Sequence, residues 1–220
     1  LSDLSFNYLD DDITMDEILG KEPQIIVEDI QLAFSQEGLC EFNGKDANIT
    51  GDSCAGFANT NYIDTGIYLF DDDNYSKDFI ISFDINSYFS SNQEVEQATI
   101  FNAFKERTGK GYGILLRRNN NNLELIVRDG NGKEYTKNNI SASISSFKIV
   151  KKGNNICYSI NDNELSYILD YSEFSDPFDI PLTFGASINQ NGVPFRYIVG
   201  SLSNITVKTG VIGSSITCEK

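Results

Sequence analysis

The sequence predicts an all-β fold, a two-sheet antiparallel jelly-roll sandwich carrying a short N-terminal connector. Three observations predict it. About a dozen short segments alternate apolar with polar residues, the pattern of half-buried strands. The stretches between them are built from Asn, Asp and Gly, the residues of tight turns. The closing segment from residue 181 to 207, PLTFGASINQNGVPFRYIVGSLSNITV, reads as a strand, a polar turn, a Pro-marked crossing and a last strand. A sandwich ending this way presents a sheet face and a loop rim, an architecture suited to recognition.

Residues 1–29 differ from the rest. The chain opens LSDLSFNYLDDD, with neither a basic region nor an apolar run, and a mature or trimmed product is expected. Thr14 to Glu17 has the form of a capping box, and Gly20 would end the helix after little more than a turn. This region is expected to be an acidic connector. Residues 30–208 are expected to form the jelly-roll domain, and residues 209–220 a C-terminal tail.

Within the domain, Phe79, Ile81, Phe83 and Ile85 alternate with Ile80, Ser82, Asp84 and Asn86. Leu123, Leu125 and Val127 alternate with Glu124, Ile126 and Arg128, and Phe147 and Ile149 with Lys148 and Val150. Ile156, Tyr158 and Ile160 alternate with Cys157 and Ser159, which puts Cys157 on the polar face, within reach of a disulfide partner. Asp129 to Gly132 and Asn161 to Asn163 read as hairpin turns, Asn189 to Gly192 likewise, and the Asn119–Asn122 run as a hairpin tip. Two segments, Gln97–Phe104 (QATIFNAF) and Gly111–Arg118 (GYGILLRR), carry apolar residues on both faces. Such strands are central and covered on both sides. Asn102, Tyr112 and Arg117 are the polar and aromatic exceptions there, so a ligand groove is expected over them.

The chain has 220 residues, a length suited to one sandwich domain with a short appendage. No apolar run approaches the roughly 18 residues needed to span a bilayer. With 17 basic and 32 acidic residues the net charge is −15, which repels nucleic acid and anionic lipid. Histidine is absent, which removes Ser/His and Cys/His nucleophile pairs and imidazole-ligated zinc. Tryptophan, the strongest sugar-stacking side chain, is absent too, which leaves that role to the 11 Tyr and 15 Phe. Cys40, Cys54, Cys157 and Cys218 fit no zinc or CxxC motif. Two disulfides, and an oxidising extracytoplasmic setting, are expected. Three connectivities are open. The favoured one clamps a local loop with Cys40–Cys54 and ties the tail with Cys157–Cys218, and four reduced thiols are the alternative.

Asn61–Phe70 (NYIDTGIYLF), Lys77–Phe83 (KDFIISF), Asn161–Glu164 (NDNE) and the 181–207 segment resemble the laminin G-like branch of the concanavalin A-like lectin/glucanase superfamily, in versions found on bacterial surface proteins. The resemblance covers roughly residues 30–208. It implies adjacent first and last strands, and glycan or protein ligands on a concave face or loop rim. It also implies calcium beside the ligand in some members, and in some bacteria a module grafted onto a type IV pilin as an adhesin.

Glycosidases of that superfamily share a Glu-x-Asp-x-x-Glu strand motif, which does not occur here. The nearest cluster, Glu94-Val-Glu96 before Gln97, reads as solvated loop charge. Asp71, Asp72 and Asp73, or Asp46, Asn48 and Asp52, could contribute ligands to calcium, although a solvated turn is the commoner use of such runs. Arg196-Tyr197 could give hydrogen bonds and stacking to a sugar, or could simply cover a sheet edge and fill the core. Asn102 and Arg117 are the stronger glycan-contact residues, the alternative being a buried pair satisfying each other. Sequons begin at Asn48, Asn74, Asn139 and Asn204, and a bacterial source would leave them bare. The expected function is non-catalytic, lectin-like binding of host or cell-surface glycans, with no nucleic-acid partner and no membrane insertion, at the bacterial surface or outside the cell. The competing readings are a protein-binding or structural assembly module, and a carbohydrate hydrolase of unrecognised type.

Overall fold

Alternation sets the sheets. In the computed structural model, which describes residues 31–43, 62–70, 77–86, 97–105, 112–119, 122–129, 133–141, 143–170, 179–189, 191–210, 212–213 and 216–218, every second residue from Phe79 to Ile85 is buried. The described residues form fourteen strands. The first seven are β1 (Gln31–Asn43), β2 (Ile63–Asp64), β3 (Asp78–Ile85), β4 (Gln97–Lys105), β5 (Tyr112–Asn119), β6 (Asn122–Arg128) and β7 (Glu134–Ser141). Then come β8 (Ser146–Lys152), β9 (Asn155–Ile160), β10 (Ser166–Asp170), β11 (Thr183–Phe184), β12 (Ser187–Ile188), β13 (Pro194–Phe195) and β14 (Val199–Gly210). The connector expected at residues 1–29, with its short helix, lies outside the described residues.

One six-stranded sheet runs β1-β14-β3-β8-β9-β10 and the other β2-β11-β4-β5-β6-β7, with β12-β13 a separate hairpin. Every pairing is antiparallel. First and last strands are neighbours, Gln31 opposite Thr209. Thr209 and Gly210, expected in the tail, instead extend β14 against β1 and β3.

The two sheets close on an aromatic centre. Phe83 lies 5.9 Å from Phe101 and 5.6 Å from Phe184, both edge-on, and stacks on Phe147 at 5.8 Å. Phe83 and Phe147 come from one sheet and Phe101 and Phe184 from the other, so these rings join the layers. At the end of β8, Lys151 follows the core residues Phe147 and Ile149 and is itself buried. Its Nζ donates to the Lys77 carbonyl at 3.0 Å. Burial pushes its pKa down, and the charge of Asp78 opposes that shift.

Turn chemistry follows the Asn and Asp positions. Asn161 and Asp162 both hold positive φ, 54° and 56°, and the Asn163 amide donates to Ile160 O at 3.2 Å, closing the tight turn between β9 and β10. Asn189 Oδ1 accepts from the amides of Asn191 and Val193 and so folds the β12–β13 turn. Asn119 pairs with Asn122 at the β5–β6 tip.

The outer face of β8–β9 carries the tail. Cys157 sits between core residues Ile156 and Tyr158 on the opposite side of the strand and bonds Cys218. Lys152 Nζ donates to the carbonyls of Gly213 and Ile216, and Asn155 Nδ2 to that of Cys218. These bonds explain why Cys157, on a face expected to be polar, is fully buried. Cys40 is also disulfide-bonded; its expected partner, Cys54, lies outside the described residues.

Candidate functional site

The two strands expected to be covered on both faces, β4 and β5, are central in their sheet. Their inner residues, among them Phe101, Ala103, Ile114 and Leu116, join the main core. On the outer face Phe104, Leu115 and Ile126 form a second, smaller buried cluster, with the Arg128 guanidinium 5.6 Å above the Phe104 ring.

A polar row crosses this outer face nearer the other end of the strands. Thr99 pairs with Arg117, and Arg117 with Glu124. The Arg117 Nε donates to Glu124 Oε2 at 2.5 Å and its Nη1 to Gln97 Oε1 at 3.0 Å. Only 17% of the Arg117 side chain and 10% of that of Glu124 is exposed, so the pair sits in a partly dry setting where charge-assisted bonds hold firmly.

Next to Glu124 the ladder breaks. Leu123 pairs with Ile140 and Leu125 with Lys137, which leaves Asn138 and Asn139 together opposite Glu124. Two residues against one is a β-bulge. Asn139 takes the left-handed conformation, φ 63°, which Asn tolerates better than most residues. A cavity of about 350 Å³ opens there, lined by Asn119, Asn122, Leu123, Glu124, Asn138 and Asn139. Asn122 Nδ2 donates to Asn139 Oδ1 at 3.3 Å across it. Four Asn and one Glu thus line one concavity. Such a set offers donors and acceptors in the mixed arrangement that vicinal hydroxyls require.

The residues singled out in the sequence fall at different points of this face. Arg117 stands beside the cavity, paired to one of its walls. Asn102, opposite Leu115 and Thr183, is 1% exposed, and its Nδ2 has no hydrogen-bond partner. It and Arg117 do not form the mutually satisfied pair considered above, because Glu124 and Gln97 accept from the guanidinium. Tyr112 opens β5 opposite Lys105, roughly 17 Å along the strand from Arg117. The Arg196 carbonyl accepts from the Thr99 amide at 2.9 Å, which sets Arg196 across β4 from Arg117, about 10 Å away at two strand spacings. Arg196 holds φ 56° with its guanidinium 4.9 Å over the Phe195 ring, and Tyr197 beside it is half-buried. The structure therefore aligns Arg117 and Arg196 in one row and leaves Tyr112 at the far end.

Further along the same face Arg128 bonds Glu134. The Thr136 hydroxyl bond holds the Glu134 carboxyl below its ordinary pKa; partial burial opposes this and Arg128 adds to it. Among the described residues no group of three or more Asp, Glu, Cys or His is placed to hold a metal ion. The acidic runs at Asp71–Asp73 and Asp46–Asp52, and the Glu94–Glu96 pair, lie outside the described residues.

No family model matches the chain, and no curated protein matches it in sequence. Solved structures do superpose on it. The botulinum neurotoxin serotype G binding domain is 14% identical with a TM-score of 0.49, over 86% of this chain and 43% of that one. The CBM40 of the Ruminococcus gnavus IT-sialidase, solved with α2,6-sialyllactose, is 15% identical with a TM-score of 0.48, over 84% and 96%. Domains LG4-5 of the mouse laminin α1 chain are 10% identical with a TM-score of 0.47, over 85% and 46%. The chain thus spans less than half of the neurotoxin and laminin chains it matches. At these identities and scores the likeness does not extend to function. The sandwich assignment rests on the strand pairing itself.

Proposed function

We propose that this chain is a non-catalytic, lectin-like carbohydrate-binding module of a bacterial surface protein, displayed outside the cell and directed at glycans on host or neighbouring cells. The observation that carries the reading is the cavity at the β7 bulge, where Asn119, Asn122, Asn138 and Asn139 face Glu124 beside the Arg117 ion pair. Amide side chains hydrogen-bond hydroxyl pairs without chemistry, and Arg117 and Glu124 hold each other in place. The disulfide between Cys157 and Cys218 supports an oxidising compartment. A single shallow site of this kind binds weakly, and repeated display on an appendage such as a modular pilin adhesin supplies avidity. Calcium is an accessory in this proposal, drawn from the acidic runs near residues 46–52 and 71–73.

A glycan array probed with the purified domain, with and without calcium, is expected to give discrete hits. Arg117→Ala and Asn122→Ala are expected to remove them, with binding falling at least roughly tenfold as one or two hydrogen bonds are lost. An array without hits, together with tight capture of a protein receptor, would overturn the reading. A reducing-sugar assay on polysaccharides addresses the non-catalytic part, and turnover lost on replacing one carboxylate would contradict it.

A further inference from the structure

We propose that the cavity at the β7 bulge selects uncharged sugars and rejects those carrying a carboxylate or sulfate. This deepens the reading of that cavity as a glycan site and rests on it. Anionic sugars are usually held by an arginine free to grip them bidentately. Here the nearby guanidinium is already engaged by Glu124 and Gln97. Glu124, besides holding Arg117, is itself part of the cavity wall.

The neighbouring cations do not change this balance. Arg118 pairs with Ala98 and Leu123, and Lys137 with Leu125; those partners pack on the core side of the sheet, so both cations belong to the opposite face. Arg128, on the outer face, is bonded to Glu134 and lies over Phe104. An anionic ligand in the cavity would therefore meet a carboxylate whose one close counter-charge among the described residues, Arg117, is already shared. The net charge of −15 adds a long-range penalty to its approach. A neutral diol meets neither obstacle, because its hydroxyls donate to the Glu124 oxygens and both accept from and donate to the Asn amides.

The test uses matched pairs in 0.15 M salt: lactose and N-acetyllactosamine against their sialylated forms, and xylotriose against its glucuronylated form. Each is titrated into the intact domain by NMR or calorimetry. The neutral member of any binding pair is expected to bind at least roughly tenfold tighter than its anionic counterpart. Glu124→Gln keeps an acceptor oxygen for Arg117 but removes the charge, and is expected to close that gap chiefly by improving the anionic member. Asn138→Asp, which adds a charge without changing shape, is expected to widen it. Equal or tighter binding of the anionic member by the unmodified domain would overturn this inference and leave the glycan reading standing. A gap that neither substitution moves would also overturn it. Binding to no sugar in the panel or on the array would overturn both.

Discussion

Gly113 marks a close approach of β4 and β5. Its φ is +123°, and a Cβ built there would lie 2.2 Å from the Ala103 carbonyl oxygen and 2.8 Å from the Phe104 Cα. Backbone atoms, not a yielding side chain, occupy that space, so Gly113→Ala is expected to destabilise the domain by on the order of 3 kcal/mol. Urea unfolding of the purified variant measures it, and an unchanged midpoint would show that the two strands can separate at no cost. Arg117 could be singled out from the sequence because a charged side chain on a strand covered on both faces needs a reason to be there, and the structure supplies Glu124 and Gln97 as its partners. Glu124 could not: in a strand alternating Leu, Glu, Leu, Ile, Val it reads as the ordinary outward polar residue. Only the register that sets it opposite Arg117 on one side and the Asn pair on the other gives it a role. Asn102 was singled out by the same argument as Arg117, and the structure puts it beneath the surface between Leu115 and Thr183, where its amide reads first as a packing and hydrogen-bonding problem.

β7 shows why elements differ in how readily a sequence reveals them. β3 and β8 bury one face against the opposite layer, and their periods appear at once. β7 is an edge strand whose residues are mostly exposed, so EYTKNNIS carries almost no alternation to read. The local hint is the Asn138-Asn139 pair, two residues tolerant of left-handed backbone inside a polar run. The bulge they make also blunts an open sheet edge. Parity is kept across it, since Lys137 and Ile140 still pair with Leu125 and Leu123. Deleting Asn139 should therefore leave one residue opposite Glu124 and restore a regular ladder with Ile140 still in the core. The expected outcome is a change in stability of about 1 kcal/mol or less together with loss of glycan binding. Thermal melts alongside array signal measure both, and a deletion variant that still binds would remove the bulge from the site.

Across the whole molecule, the architecture was legible because a sandwich repeats the same signals many times: period-2 runs, Asn and Gly turns, and closing strands that return to the start. The cavity at the β7 bulge was less so, since it arises where three strands and a two-residue irregularity meet, and no single segment carries that pattern. The cysteines are an intermediate case, spacing leaving three connectivities and the structure assigning Cys157 to Cys218. This bond closes a span of 61 residues and, on chain-entropy grounds, contributes about 4 kcal/mol. Replacing both cysteines by serine is expected to lower Tm by roughly 10 °C, read by calorimetry, and an unchanged Tm would mean that the hydrogen bonds from Lys152 and Asn155 alone hold the tail. The pairing of Gln31 with Thr209 has a consequence of another kind. Residues 31 and 209 are only about 5 Å apart, yet the chain does not leave there, because it runs on to Cys218, which is pinned to β9. A pull on the chain beyond Cys218 is therefore taken up by β9 through the disulfide, and β14 is not peeled from β1 and β3.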